Sequence, residues 1–115
     1  MKTNKNSLGK WGEDIAVKYL ASLGMKTIGR NIRTPFGEID VVCKDRKKLY
    51  FVEVKTRTSE KFGLPLEAIT GLKKEHMANS ALYYLKGEAV DFEIGVVTIL
   101  KGESDYKIEY IKDIF

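Results

Sequence analysis

Two helical patterns stand out among the apolar positions of the chain. Between residues 7 and 23 apolar side chains fall on one half of the helical wheel, with Ser7 or Asn6 as the N-cap and Gly24 as the stop. The same spacing predicts a second helix from residue 70 to residue 86, which Gly87 ends. The first helix is predicted to bury Leu8, Gly9, Trp11, Gly12, Ile15, Ala16, Tyr19, Leu20 and Leu23, and the second Met77, Ala78, Ala81, Leu82 and Leu85.

Five shorter stretches have the two-residue alternation of β-strands. They cover residues 26–34, 37–44, 49–57, 92–100 and 106–111, and the first is expected to be irregular at Gly29. The loop from Asp45 to Lys48 joins the second and third as a hairpin. The order α-β-β-β-α-β-β predicts an α/β fold with a mixed central sheet of about five strands flanked by helices. We expect one domain over residues 1–115, with residues 1–7 flexible.

Four ionisable side chains lie inside the second and third strands, where apolar residues are more usual. Because side chains alternate across a strand, Glu38 and Asp40 share one face of the second strand. Glu53 and Lys55 share one face of the third. A hairpin that closes symmetrically about residues 46 and 47 places Asp40 opposite Glu53. In the same register Glu38 faces Lys55, and such partners have Cβ atoms about 4.5–5.5 Å apart.

Two opposed carboxylates are an unfavourable choice for a purely structural pair. Their repulsion at about 4 Å costs about 1 kcal/mol in water, and several times more at an effective dielectric constant of about 20. A hard divalent cation reverses the sign, since Mg²⁺ or Mn²⁺ takes carboxylate oxygens and keeps positions open for water and phosphate. We therefore expect Asp40 and Glu53 to hold a metal ion. Lys55 would assist the attacking water or neutralise charge that develops on phosphate.

A second interpretation treats the same side chains as the solvated face of an antiparallel sheet. Glu38 and Lys55 would then be a surface pair worth less than about 1 kcal/mol. Two features favour the metal site. Phe51 shares a strand face with Glu53, so this face is not simply solvated. Glu13 lies at the edge of the apolar half of the first helix, beside small residues, so we expect that helix to pack on the same face and to add a ligand or a water contact.

The composition limits which metal ligands are available. One cysteine, Cys43, excludes an intramolecular disulfide and a cysteine-cluster zinc site, and its place in a strand pattern predicts a buried side chain. One histidine, His76, leaves oxygen ligands as the basis of any metal site. Twenty Lys and Arg against sixteen Asp and Glu give a net charge of +4, which suits a polyanionic partner. With no secretory leader and no membrane-length apolar run in the sequence, we expect a cytoplasmic protein and no membrane partner.

The charged residues of the motif resemble those of the PD-(D/E)xK nuclease superfamily. An acidic residue in a first helix, an Asp on one strand and Glu-x-Lys on the next correspond here to Glu13, Asp40, Glu53 and Lys55. Archaeal Holliday junction resolvases are close in pattern. A more specific resemblance, over nearly the whole chain, is to the YraN family of small bacterial proteins. It is carried by Gly9-x-x-Gly12-Glu13-x-x-Ala16, Asn31-x-Arg33, Gly37-Glu38-Ile39-Asp40, Phe51-Val52-Glu53-Val54-Lys55-Thr56-Arg57 and Gly63-x-Pro65-x-x-Ala68-Ile69.

This resemblance implies a restriction-endonuclease-like fold and phosphodiester hydrolysis with Mg²⁺ or Mn²⁺. It implies catalytic roles for the four matching residues, with Asp40, Glu53 and Glu13 as metal ligands. Because the resolvases act on branched DNA as symmetric dimers, a homodimer is compatible with it. The YraN family often carries an Asp on the fourth strand where this chain has Gly95, which leaves the role of that Asp open.

Basic residues flank the motif and suit nucleic-acid phosphate. Arginine forks match phosphate oxygens, which favours Arg30, Arg33 and Arg57 as contacts. Lys73 and Lys74 could contact phosphate or form a solvated helix face. Glu38 is a neighbour that either joins the metal site or pairs with a basic residue. The first hypothesis is a Mg²⁺-dependent endonuclease acting on structured or branched DNA. The alternatives are a non-catalytic nucleic-acid-binding module with the same fold, and an α/β scaffold for a protein partner.

Overall fold

A computed structural model describes residues 7–58 and 71–114. Its elements occur in the predicted order, and the α/β class is confirmed. The segment 1–6 and the predicted helix start at Thr70 lie outside the described residues. Ser7 begins the first helix, as the apolar pattern predicts. The elements are α1 (Ser7–Ser22), β1 (Lys26–Thr34), β2 (Gly37–Asp45), β3 (Lys48–Arg57), α2 (Gly71–Leu85), β4 (Phe92–Lys101) and β5 (Tyr106–Ile111).

The strands form one mixed sheet in the order β1-β2-β3-β4-β5. Neighbouring strands are antiparallel except β3 and β4, which are parallel and are joined by the connection that contains α2. The β2–β3 hairpin has the predicted register, since Asp45 pairs with Lys48 and Val41 with Val52. The predicted irregularity in β1 is confirmed, because its register to β2 shifts just before Gly29.

The sheet forks beyond the Val41–Val52 pair. From that point β2 runs on to Gly37 paired with β1, while β3 runs on to Arg57 paired with β4. The prediction that the symmetric β2–β3 pairing continues as far as Glu38 and Lys55 is therefore wrong. The ladder stops before Asp40 could pair with Glu53, and Glu38 pairs with Arg33 of β1 rather than facing Lys55.

The two helices cover opposite faces of the sheet. Ala16 and Leu20 of α1 pack with Val41, Cys43 and Val52. The other face, which carries Leu49 and Phe51, packs against Ala81 and Leu85 of α2. By alternation Glu53 and Lys55 share the face of Phe51.

The expectation that α1 packs on the face of Glu53 is therefore wrong. The amphipathic pattern shows which side of a helix is buried, but not which face of the sheet it covers. Glu13, carried by α1, approaches from the face opposite Glu53.

The alternation of side chains reverses where Asn31 of β1 lies beside Asp40 of β2. Strict alternation would put Ile39 on the α1 face together with Val41, yet Ile39 packs in the cluster under α2. Ile32 of β1 packs against the same cluster. Asn31 has a φ of 50°, a left-handed conformation that Asn adopts more readily than most residues. The left-handed conformation of Asn31 changes the orientation of β1 locally, while the residues of β1 before and after Asn31 keep their pairing with β2.

Two predicted core positions are exposed at the helix ends and flanks. Leu23 lies beyond the end of α1 and is 45% exposed, and Leu82 on α2 is 57% exposed. Both fit an apolar stripe that is wider than the surface each helix buries.

Cys43 is fully buried as predicted, and burial raises the pKa of its thiol. None of the helices in the described ranges is both long and apolar enough to cross a membrane.

Gly95 lets β5 approach β4 closely. A Cβ at this position would lie 2.8 Å from the carbonyl oxygen of Ile111 and 2.9 Å from the ring of Tyr110. Any residue larger than glycine would have to displace β5. Position 95 pairs with Val52, the last residue of β3 that pairs with β2 before the fork opens.

Candidate active site at the fork of the sheet

Asp40 lies at the vertex of the fork. The residue is 6% exposed, and its Oδ2 accepts a hydrogen bond of 2.9 Å from the backbone N–H of Val54. Where β2 and β3 separate, the Asp40 side chain thus accepts the hydrogen bond that a backbone carbonyl of β2 would accept in a continuous antiparallel pair. Since Val54 stands between Glu53 and Lys55 in the sequence, this bond holds the carboxylate of Asp40 beside the backbone of the Glu-x-Lys segment.

Glu53 is buried on the α2 side of the fork and lies close to two ammonium groups. Its Oε2 is 3.5 Å from Nζ of Lys55 and 3.3 Å from Nζ of Lys73. Glu53 is 7% exposed, so this charge is largely removed from water and depends on nearby cations. One carboxylate oxygen is thus shared by two ammonium groups.

Lys73 was predicted as a phosphate contact or as part of a solvated helix face, and its ion pair with a buried carboxylate was missed. The apolar pattern of α2 does not fix how far that helix is rotated over the sheet. One signal was available in the sequence. The first turn of α2 contains no acidic residue, although the positive end of the helix dipole favours acidic side chains there. A lysine in that turn therefore calls for an anionic partner elsewhere.

Glu13 supports the fork from the opposite face of the sheet. It is 3% exposed, and its Oε1 accepts a hydrogen bond of 3.0 Å from Nδ2 of Asn31. Asn31 is the left-handed residue beside Asp40. Glu13 therefore acts on the strand irregularity that shapes the vertex.

Arg30 lies between two carboxylates of α1. Its Nη2 is 2.9 Å from Oδ1 of Asp14 and 3.6 Å from Oε1 of Glu13. The hydrogen bond from Arg30 is the main reason that the pKa of the Asp14 carboxyl is below its usual range. Arg30, predicted as a phosphate contact, is therefore engaged in joining β1 to α1.

The other predicted basic contacts lie around the fork. Arg33 is exposed beside Glu38, which is exposed as well, and Lys74 is half-buried on α2. Arg57 follows Lys55 on the same face of β3 by alternation. Its Nε is buried and has no hydrogen-bond acceptor within the part of the chain that the structure describes.

A small cavity separates the sheet from α2 beside Glu53. Its volume is about 10 Å³, which is room for about one water molecule. Glu38 and Ser80 contribute to its lining. A substrate as large as a nucleic-acid backbone would therefore have to approach the fork from outside, along the exposed rim.

The oxygen ligands at the fork suit a hard cation, but they comprise two carboxylates and not the three that the sequence predicted. Across residues 7–58 and 71–114, no three acidic, histidine or cysteine side chains form a metal-binding group, so Glu13, Asp40 and Glu53 do not form one. Asp40 and Glu53 are the two buried carboxylates at the fork, and Asp40 accepts the amide that directly follows Glu53. Mg²⁺ commonly takes one or two protein carboxylates and completes its shell with water and substrate phosphate. The two-carboxylate set fits that chemistry, and Glu13 supports it from the rear.

Comparison with known proteins gives a consistent family match. A family model described as "Uncharacterised protein family UPF0102" matches residues 12–99. A UPF0102 protein of Syntrophotalea carbinolica is 38% identical over 118 residues, covering 100% of this chain and 96% of the relative. A UPF0102 protein of Syntrophomonas wolfei is 41% identical over 111 residues, covering 94% and 96%. One of Thermodesulfovibrio yellowstonii is 39% identical over 108 residues, covering 94% and 95%.

Proposed function

The chain belongs to the uncharacterised family UPF0102, and from the geometry of its forked sheet we propose that it is a metal-dependent endonuclease. Its substrate would be structured or branched DNA. The observation that supports this most is the hydrogen bond from the amide of Val54 to Asp40, which fastens one strand carboxylate beside the Glu53–Lys55 segment of the next strand. The PD-(D/E)xK resemblance of the same residues points to the same reaction.

Asp40 and Glu53 would hold the metal ion, which when bound supplies positive charge to a phosphate and makes a water molecule more acidic. Both side chains are buried at a point where the sheet opens, so their charges are little weakened by solvent. Lys55 lies 3.5 Å from Glu53 and would place its ammonium group beside the reacting phosphate. Glu13 would keep the vertex in shape through Asn31.

The basic rim would bind the nucleic-acid backbone. Arg33 is exposed near the fork, and Arg57 has a buried Nε that lacks an acceptor among the described residues. A buried unsatisfied N–H costs about 1–3 kcal/mol, and a phosphate oxygen at this position would satisfy it. Arg57 is therefore a stronger candidate for a phosphate contact than Arg30, which Asp14 and Glu13 already engage.

The test is cleavage of defined substrates with Mg²⁺ and Mn²⁺. Duplex, single-stranded, flap and four-way junction DNA should be compared, and we expect cutting of at least one structured substrate. Asp40→Asn should lower the rate at least about a hundredfold, because it removes a charged metal ligand. Asp45→Asn is the matched control, since Asp45 lies on the same strand at the hairpin end, and it should cut like the wild type. No cutting of any substrate, or equal cutting by Asp40→Asn, contradicts the proposal.

A second candidate is a nucleic-acid-binding module that keeps the fold without catalysis. It is favoured by the two lysines that already balance Glu53, and by the absence among the described residues of three acidic side chains grouped closely enough to hold a metal ion. Calorimetry with Mn²⁺ separates the two candidates. Binding of Mn²⁺ that Asp40→Ala abolishes supports the enzyme. DNA binding that is indifferent to metal and to that substitution, with a salt slope of about 0.9 per phosphate contact, supports the module.

A further inference from the structure

The ion pair between Lys73 and Glu53 joins α2 to the fork of the sheet. Nζ of Lys73 lies 3.3 Å from Oε2 of Glu53, and the carboxylate is buried. This oxygen is also the one that Lys55 approaches, at 3.5 Å. Two ammonium groups on a single carboxylate oxygen supply the positive charge that a divalent cation would bring to the same place.

The two lysines differ in how firmly they are held. Lys55 lies within β3, between residues of a continuous ladder, and pairs with Thr98 of β4. The sheet fixes the backbone of Lys55, so its ammonium group can move away from Glu53 only by rotation of the Lys55 side chain. Lys73 belongs to the first turn of α2, a separate element, and 36% of its side chain is exposed. Of the two, Lys73 is the group that can exchange Glu53 for another anion without disturbing the sheet.

The surroundings of Lys73 favour an anion when Glu53 is engaged elsewhere. The first turn of α2 carries Lys73 and Lys74 but no acidic residue, and the positive end of the helix dipole lies at the same place. A cation on Glu53 would repel the ammonium of Lys73 and move it towards the open rim. A phosphate on that rim would then offer Lys73 a new partner of the same charge as the one it lost.

We propose that Lys73 holds the place of a divalent cation on Glu53 in the metal-free protein, and moves to nucleic-acid phosphate when the cation binds. The inference rests on the proposed function, because it takes Glu53 as a metal ligand. It makes binding of metal and of nucleic acid cooperative through one side chain. Lys73 is thus a positioning and substrate-binding residue, distinct from Lys55.

Metal affinity provides the first test and needs no nuclease activity. Mn²⁺ binding should be measured by calorimetry without nucleic acid for the wild type, Lys73→Met, Lys73→Arg and Lys74→Met. Lys73→Met removes a competing charge close to the cation, so it should bind Mn²⁺ about tenfold more tightly. Lys73→Arg keeps the charge, and Lys74→Met removes a charge one position along the same turn. Both should stay within about twofold of the wild type.

Nucleic-acid binding provides the second test. Duplex DNA binding should be measured across a range of salt in EDTA and in Ca²⁺, a hard cation that also takes carboxylate oxygens. Lys73→Met should reduce the salt slope by about 0.9 in Ca²⁺ and leave it unchanged in EDTA. Lys74→Met should show no such dependence on the cation.

The outcomes separate this inference from the proposed function. If the wild type binds Mn²⁺ through Asp40 but Lys73→Met binds it equally or more weakly, the inference is wrong and the metal site stands. An equal loss of DNA affinity in EDTA and in Ca²⁺ overturns it as well. If the wild type binds no Mn²⁺ at all, both the metal site and the exchange of Lys73 are overturned.

Discussion

Gly12 lies where α1 and β3 approach each other closely. An ideal Cβ at this position would overlap Oγ1 of Thr56 and lie 3.1 Å from Cβ of Thr56. Replacing Gly12 by Ala has two opposing effects. Alanine is favoured over glycine within a helix by about 1 kcal/mol, whereas forcing an extra carbon into a packed contact costs about 1–3 kcal/mol. Thr56 is β-branched and its Cβ is fixed to the sheet, so rotation of its side chain cannot remove the contact entirely.

We expect Gly12→Ala to lower the free energy of unfolding by up to about 2 kcal/mol, the difference between these two effects, measured by urea denaturation. Thr56→Ala removes the overlapping Oγ1, so the double variant should be less destabilised than the sum of the two single changes by about 1 kcal/mol or more. Gly71→Ala is the matched control in the other helix, because a Cβ there meets no atom of the described residues within 4 Å. A Gly12→Ala variant more stable than the wild type, or strict additivity in the double variant, would refute the close approach of α1 to β3.

The remaining predictions concern four other side chains. Asn31→Val should lower the free energy of unfolding by about 2–3 kcal/mol in the same urea assay, because a β-branched residue is strained at a φ of 50° and the hydrogen bond to Glu13 of α1 is lost. Asn31→Gly loses the hydrogen bond but is not strained at this φ, so it should lower the free energy of unfolding by only about 1 kcal/mol. Asp40→Leu should be about 1–3 kcal/mol less stable than Asp40→Asn, which can still accept the β3 amide; equal stability of the two would contradict the hydrogen bond at the fork. Tyr110→Phe should raise the free energy of unfolding by about 1 kcal/mol, since the hydroxyl is buried without a hydrogen-bond partner among the described residues, and a lower melting temperature would argue against this. Burial raises the pKa of the Cys43 thiol above 9.0, so the stability that the neutral thiol contributes is complete below that pH and is lost as the pH rises through the folded-state pKa. Between pH 8 and pH 10 the urea midpoint should therefore fall more for the wild type than for Cys43→Ala.

The strands and their pairing could be predicted because they follow from local rules. Alternation gave the bounds of β1 and β5 as the structure has them, and the short loop after Asp45 fixed the register of the β2–β3 hairpin. The fork could not be predicted in this way. It depends on where β2 and β3 each pair with an outer strand, and on a left-handed Asn31 that an alternating pattern does not reveal.

The helix side chains of the site were predicted less well than the strand residues. Glu13 was identified from its place beside small residues, but the face of the sheet that α1 covers was wrong, because hydrophobic periodicity contains no information about which side a helix takes. Lys73 was identified as basic and near the motif, but its pairing with Glu53 depends on how α2 is rotated over the sheet. The assignment of Asp40, Glu53 and Lys55 to catalysis stays a prediction.

The single parallel pair in the sheet has a consequence for how the molecule assembles. β1, β2 and β3 follow one another along the chain, so that meander closes with short loops and little loss of chain entropy. β4 can join β3 only after the long connection containing α2 has folded back, which is the slower kind of step. Asp40 and Glu53 both belong to the meander, while Lys73 arrives with the connection. We therefore expect the two acidic groups to be brought near each other early in folding, and the lysine that neutralises one of them to dock last.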